Sequence, residues 1–399
     1  MSLSTKGVVI VAAKRTAFGT FGGKFVNTTA CDLQVASNKA AMAAAKITPE
    51  MIDTVNIGNI LSHSSTDGGY MGRHSALKSG IPIDRPALMV NRLCGSGFQA
   101  VVNGVQDILL GAAKISLTGG AESMSQAPFV VRNVRFGTQL GVNYNFEDTL
   151  WAALSDSYCK LPMGLTAEKL GAQNNVTRED VDEFSLRSQM LWKKAQEAGV
   201  FKEELVPVQI KGKKGPENVE CDEHPRPNTT MEGLKKLRSL FKENGLVTAG
   251  TASGVSDGAG TVIVASDAAA AEYNLKPLAR ILGYSTVGVD PSIMGVGPVP
   301  AIQNVLKVCG LTLNDIDLVE INEAFAAQTL ACARQLNLDI NKLNVNGGAI
   351  ALGHPLAASG ARITTHLVHE LRRRKAKYGI GSACIGGGQG IALLIEALY

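Results

Sequence analysis

A chain of 399 residues with 45% hydrophobic, 19% charged and 5% aromatic side chains is too long for one ordinary core and too apolar for disorder, so two or three domains are expected. The formal charge of +4, without a basic stripe interleaved with aromatics, argues against nucleic-acid binding. No apolar run approaches the about 20 residues needed to span a bilayer, and seven scattered cysteines lack the paired spacings of a zinc site or a disulfide-stapled module, so they read as reduced thiols.

The first strand is expected from about Gly7, with Val8 to Ala13 followed at once by Lys14 and Arg15. No secretory leader is expected from so short an apolar run, and a first strand starting this early is expected to leave no room for a cleavable transit peptide. The final Ala397, Leu398 and Tyr399 are not a peroxisomal tripeptide.

Next comes a segment that returns later in the chain. Ile47 to Gly58 (ITPEMIDTVNIG) aligns with Leu311 to Asn322 (LTLNDIDLVEIN) at an offset of 264, pairing Thr48 with Thr312 and Ile52-Asp53 with Ile316-Asp317. Ser96-Gly97 matches Ser359-Gly360, and Ala113-Lys114 matches Ala376-Lys377, both at an offset of 263. Gly258 to Ala265 resembles Gly388 to Ile395 at an offset of only 130, so the first copy carries about 133 extra residues between these points. Short apolar strands (Ile115 to Leu117, Val262 to Val264, Leu318 to Ile321, Ile391 to Ile395) alternate with helical patterns such as Phe98, Val101, Val102, Val105 and Leu109, which predicts α/β halves. The expected division is a first half of residues 1–120 plus 250–270, an inserted loop domain over 121–249, and a second half over 271–399. The insertion holds both tryptophans and much of the charge, including Lys211, Lys213, Lys214, Lys235, Lys236 and Arg238.

Ala87 to Val90 reads as a strand that turns at Asn91-Arg-Leu-Cys94-Gly-Ser-Gly into a helix starting near Ser96. A thiol at such a corner is brought toward the thiolate by a helix N-terminus or a nearby base, and Gly95 and Gly97 are expected to let a ligand approach backbone N–H groups. The alternative is a packing cysteine at a strand-to-helix turn. Asn322-Glu323-Ala-Phe325 follows the strand Leu318 to Ile321 and offers either a site amide at the sheet's carboxyl end or a plain helix cap. In Asn346-Gly-Gly-Ala-Ile-Ala-Leu-Gly-His354-Pro355 the proline biases His354 away from helical geometry, so the ring is a candidate base or a histidine satisfied by backbone. His366 and His369 are expected on a solvated helix face rather than as metal ligands, and no metal site is foreseen. Arg372, Arg373, Arg374, Lys375 and Lys377 sit where that helix should end and complement its dipole. Cys384 ends a strand inside Gly379 to Gly390, a run too close to the C-terminus for a dinucleotide fold and suited instead to baring N–H donors for an oxyanion.

Taken together, Asn91 to Gln99, Gly119-Gly-Ala-Glu-Ser-Met-Ser, Asn322-Glu-Ala-Phe, Asn346 to Pro355 and Cys384-Ile-Gly-Gly-Gly resemble the thiolase signatures, in thiolase order and over essentially the whole chain. The wording of Asp222 to Thr230 and Ser292 to Pro298 looks nearest to the mitochondrial members acting on 3-oxoacyl-CoA. Where the family usually has two glycines after His-Pro-Leu, this chain has Ala357-Ala358. The resemblance implies two similar α/β halves in a five-layered α-β-α-β-α arrangement with an inserted loop domain. It also implies CoA-dependent thiolytic cleavage of 3-oxoacyl-CoA in β-oxidation, reversible as a Claisen condensation. In these roles Cys94 is the nucleophile, His354 its base and Cys384 the proton carrier; His354 and a water on Asn322 serve one oxyanion, and the N–H groups of Cys94 and Gly386 the other. Arg226, Thr229 and Ser253 would bind CoA, a co-substrate, with no tightly bound cofactor. A homodimer or homotetramer in the mitochondrial matrix is implied as well. The alternatives are an acetoacetyl-CoA-specific thiolase and a non-catalytic acyl-CoA-binding protein of the same fold.

Overall fold

The computed structural model describes residues 2–5, 7–212 and 215–399, so Lys213 and Lys214 of the insertion lie outside the described residues. Apolar stretches with few charges form the strands: β1 (Val8–Thr16), β2 (Thr54–Gly58), β3 (Ala87–Val90) and β4 (Ile115–Ser123) in the first half. They are followed by β5 (Ser256–Ser266), β6 (Ala279–Gly288), β7 (Leu318–Ile321), β8 (Tyr378–Ile385) and β9 (Gln389–Ala397). Strand β4 continues through Ser123 and is buried along its whole length, so the chain leaves the sheet later than Ala121.

The strands are ordered β3-β2-β4-β5-β1 and then β6-β9-β8-β7. In both halves a parallel pair (β2 with β4, β7 with β8) adjoins an antiparallel one (β4 with β5, β8 with β9). Val319 in β7 also bridges Leu343 in parallel, the place that β3 takes beside β2. The duplication read from the offsets is therefore a duplication of sheet topology. The halves are joined rather than merely stacked, because Ala279 and Arg280 of β6 pair with Ile10 and Val9 of β1.

Three cores separate the layers. Helices α1 (Ala30–Ala45) and α2 (Met71–Lys78) cover the outer face of the first half, with Leu33 and Met42 packed against Ile57, Leu117 and Ile263. Between the halves lie α3 (Ser96–Leu109) and, from the C-terminal copy, Ser359–Arg374 (α8 in the numbering completed below). Phe98, Val101, Val105, Ile363 and Leu367 meet side chains of both sheets there, as the helical pattern predicts, though Leu109 is exposed. In the insertion run α4 (Met163–Gln173) and α5 (Arg178–Glu197), and α6 (Pro298–Cys309) and α7 (Ala326–Leu336) cover the outer face of the second half. Each large apolar side chain fully buried this way contributes about 1.5–3 kcal/mol.

The middle position of α8 overturns the expectation for its histidines. His366 is buried, with Nδ1 2.8 Å from Glu204 Oε2 and Nε2 3.2 Å from Asn346 Nδ2. His369 Nε2 donates to Ala13 O at 2.9 Å. A helix packed between the two halves has no solvated face at these positions, so both histidines are paired internally. The helix ends where the basic run predicts, and Arg373 and Arg374 both turn back to Glu370.

Candidate active site

The nucleophile candidate sits on a strained corner. Leu93 has φ 46°, the left-handed region that L side chains rarely adopt, immediately before Cys94. Ser96 holds the corner, its Oγ accepting from Arg92 N (2.9 Å) and donating to Leu93 O (2.7 Å), while Asn91 Oδ1 accepts from Leu93 N (3.0 Å). Gly95 caps α3, which places Cys94 just ahead of the first helical turn. Gly97 has a different purpose from the expected one. A Cβ on Gly97 would lie 2.6 Å from Ala357 O, and one on its repeat partner Gly360 would lie 2.2 Å from Phe98 N. They admit the other central helix, not a ligand.

The loop Asn346 to His354 is shaped from below by Glu323, a fully buried carboxylate accepting from Ser188 Oγ (2.7 Å), Asn344 Nδ2 (2.8 Å) and Ile350 N (3.1 Å). Gly353 (φ 92°) makes the final bend against Ser256. His354 is buried; its N–H donates to Gly254 O (2.8 Å), its Nδ1 lies 2.5 Å from Ser359 Oγ, and its Nε2 lies 3.2 Å from Asn322 Nδ2. Ser359 Oγ is also 3.1 Å from Pro355 O, which can only accept. With Ser359 donating to Pro355 O, His354 Nδ1–H donates to Ser359 and Asn322 donates to a bare Nε2, the tautomer in which the ring can serve as a base. The ring is then a neutral base with its lone pair on Nε2. Asn322 Oδ1 is buried with no protein partner among the described residues.

Cys384 is fully buried at the end of β8, packed with Met294 and Ala324. Cys94, His354, Cys384 and Ser253 line one cavity of about 240 Å³ whose other walls include Met163 and Phe325. Burial pushes the Cys94 thiol up to about 11, outweighing the N–H groups of Gly386 and Cys94 that favour its thiolate. Burial also holds His354 down at about 3 and keeps Cys384 well above the usual thiol range, with Cys94 adding to the latter. The resting pair is therefore neutral thiol and neutral imidazole, where the corner geometry alone predicts a thiolate.

Arg226 and Thr229 do not line that cavity. They border a neighbouring one of about 450 Å³ together with Gln189 and His224, and Gln189 Oε1 accepts from Arg226 N at 2.8 Å. The alanines in place of the family's glycines fit without strain, because Leu356–Ala358 is a short helical turn and neither alanine has a positive φ.

Sequence reasoning passed over Glu122, Glu323 and Ser359. Glu122 is fully buried, accepts from Leu61 N (2.8 Å), Ala357 N (3.2 Å) and Asn59 Nδ2 (3.1 Å), and is pushed up to about 7 by burial. A carboxylate inside an otherwise uncharged strand was the available signal.

Residues 8–268 match the thiolase N-terminal domain and residues 275–397 the thiolase C-terminal domain. The chain is 57% identical over 392 residues to "3-ketoacyl-CoA thiolase, mitochondrial" of Homo sapiens, covering 98% of each chain. It is 44% identical over 398 residues to "Acetyl-CoA acetyltransferase" of Syntrophomonas wolfei, covering 99% of this chain and 100% of that one. The crystal structure of human mitochondrial 3-ketoacyl-CoA thiolase in complex with CoA matches with a TM-score of 0.96 and 56% identity, over 99% of this chain and 98% of that one.

Proposed function

The chain belongs to the thiolase family, and from that membership together with the cavity geometry we infer that it is a 3-ketoacyl-CoA thiolase. It is an acyltransferase that uses CoA to cleave 3-oxoacyl-CoA into acetyl-CoA and an acyl-CoA two carbons shorter, and it serves fatty acid β-oxidation in the mitochondrion. The observation that carries this reading is the 57% identity to the human mitochondrial enzyme over 98% of both chains, against 44% to the acetyl-CoA acetyltransferase. The acetoacetyl-specific alternative is thereby disfavoured. A non-catalytic binder would have no need to keep Cys94, Asn322, His354 and Cys384 together.

We assign the steps as follows. Cys94 Sγ attacks C3 of the substrate as His354 Nε2 takes its proton, and the C2–C3 bond breaks to leave acyl-Cys94 and the enolate of acetyl-CoA. Cys384 gives that enolate its proton. The resulting Cys384 thiolate takes a proton from incoming CoA, whose sulfur displaces the acyl group from Cys94, and His354 returns its proton to the leaving thiolate. Atoms and protons balance over the cycle, and its reverse is a Claisen condensation. Splitting one difficult substitution into two easier ones is the gain of covalent catalysis. The charge on the enolate oxygen falls to His354 and a water on Asn322, and the charge on the tetrahedral adduct to the N–H groups of Cys94 and Gly386. A single donor of this kind is commonly worth about 10²- to 10³-fold in rate.

Arg226 and Thr229 are assigned to the nucleotide end of CoA and Ser253 to its pantetheine arm. Support comes from one stretch of chain that serves both cavities: Ala249 and Gly250 border the one that Arg226 lines, and Ala252, Ser253 and Gly254 border the apolar one that holds both cysteines. The inserted segment is proposed to act as the CoA-binding loop domain. A homodimer or homotetramer belongs to the same proposal, favoured by β3, an edge strand that exposes Leu88. The test is acetyl-CoA release from CoA and 3-oxoacyl-CoAs of increasing chain length. Cleavage extending beyond acetoacetyl-CoA is expected, and cleavage of acetoacetyl-CoA alone would replace this reading.

A further inference from the structure

One side chain outside the reacting groups touches both cavities' supporting walls. His224 lies in the insertion, on a segment anchored to the body of the molecule. Asp222 accepts from Arg15 Nη1 (2.7 Å) and Phe18 N (2.8 Å), and Glu223 N donates to Phe18 O (2.9 Å). The His224 Nδ1 is 2.9 Å from Ala351 O, three residues before His354. A carbonyl only accepts, so Nδ1 carries the proton and Nε2 is bare. Burial lowers the ring's proton affinity, which keeps it neutral.

The far edge of the ring lies against Gly254. A Cβ at that glycine would come within 1.9 Å of His224 Nε2, so the imidazole fills the space a side chain would need. Gly254 O is the acceptor for the backbone N–H of His354. His224 thus holds one of the two backbone segments that fix the base by a hydrogen bond and the other by packing. The same ring borders the neighbouring cavity alongside Arg226 and Thr229.

We propose that His224 is a positioning residue for His354, and that its place in the wall of the Arg226 cavity ties the alignment of the base to occupancy by the nucleotide end of CoA. The second clause rests on the assignment of that cavity to CoA. A proton transfer between Cys94 and His354 depends on sub-ångström alignment, and a displacement of about 1 Å is enough to cost ~10²-fold.

The test uses three variants of the full chain. The amide nitrogen of Asn occupies the place of an imidazole Nδ1, whereas that of Gln falls near Nε2, and Phe keeps the ring without a donor. Two quantities are read, the turnover number against KM for CoA, and the rate at which iodoacetamide alkylates Cys94 as a function of pH. For His224→Phe and His224→Gln, kcat and neutral-pH alkylation are expected to fall by about 10- to 10²-fold with a much smaller change in KM. His224→Asn is expected to recover most of the loss. Adenosine 3′,5′-bisphosphate, the nucleotide end of CoA, is expected to change the wild-type alkylation rate and to have no effect in His224→Phe. Equal losses in His224→Asn and His224→Phe, with matched melting temperatures, would remove the hydrogen bond from the account. A rise in KM alone would make His224 a binding contact only, and a wild-type alkylation rate indifferent to the bisphosphate would remove the tie to the nucleotide site. Alkylation needs no thiolase substrate, so it decides the matter even if acetyl-CoA release fails and the assigned activity falls.

Discussion

The Oγ of Ser359 stands 2.5 Å from Nδ1 of His354 and 3.1 Å from Pro355 O, while Asn322 Nδ2 stands 3.2 Å from Nε2 of the same ring, so the hydroxyl and the amide grip the imidazole from its two nitrogens. Ser96, its counterpart in the sequence repeat, holds the corner of Cys94 in a comparable way, with its Oγ donating to Leu93 O. The duplicated helix start has thus produced one serine for the nucleophile's turn and one for the base.

Removing the Ser359 hydroxyl frees the tautomer without touching substrate. Ser359→Ala is expected to lower kcat by about 10- to 10²-fold, within the range of a general-base contribution, while Ser359→Thr keeps most activity. Steady-state kinetics on both variants checks this, and an unimpaired Ser359→Ala would show that Asn322 alone orients the ring.

The proposed steps give the two cysteines different work, so their variants are expected to fail differently. Cys94→Ala abolishes acyl-enzyme formation, read by intact-protein mass spectrometry after mixing with acyl-CoA. Cys384→Ala still acylates slowly, because a CoA thiolate leaves without much help, but exchange of the acetyl-CoA methyl protons in deuterium oxide drops by ~10²- to 10⁴-fold. Exchange at nearly the wild-type rate in the second variant would reverse the assignment.

The neutral resting pair makes a statement about pH. With the Cys94 thiol near 11 and His354 near 3, alkylation of free enzyme is expected to keep rising from neutral pH toward about 11, with no plateau between these values. A preformed thiolate–imidazolium pair gives a flat rate over that range instead. Stopped-time iodoacetamide labelling of Cys94 separates the two.

Arg15 is fully buried between Glu204 (2.7 Å) and Asp222 (2.7 Å), and Glu204 also holds His366. Desolvation opposes the Glu204 charge, but His366 and Arg15 outweigh it and bring the carboxyl down to about 2 from its usual 4.5. A carboxyl depressed on folding contributes stability that is complete above its unfolded value and lost as pH falls through the folded one. His366 is shifted the other way, upward, so its share is complete below about 6.5 and fades as pH rises through its raised value. Glu204→Gln is expected to cost about 3–5 kcal/mol near neutral pH by leaving buried cations unpaired. Its deficit relative to wild type should shrink as pH falls from 4.5 toward 2, which urea melts over a pH series measure.

Association is the remaining expectation open to a direct reading. Light scattering at micromolar concentration should give the mass of a dimer or tetramer, since the edge strand β3 and its exposed Leu88 otherwise remain open to solvent. A monomer mass would count against self-pairing.

The sequence by itself determined the duplication and the order of strands and helices. Offsets of 264 and 263 survive folding as matched sheet topologies because each copy is a local pattern of apolar runs and turns. Cys94, Asn322, His354 and Cys384 stood out as candidates because each stands at a strand end or a glycine-rich bend, and the fold brings Cys94, His354 and Cys384 to one cavity with Asn322 bonded to His354. What only the tertiary structure decided follows from burial, which no local pattern carries. His366 and His369 were expected in solvent and lie between two sheets, since a helix's surroundings depend on a strand pair formed by residues hundreds of positions away. Gly97 was expected to face a ligand and faces a helix. The charge state of Cys94 was decided in the same way, because desolvation by the assembled walls exceeds the pull of one helix end.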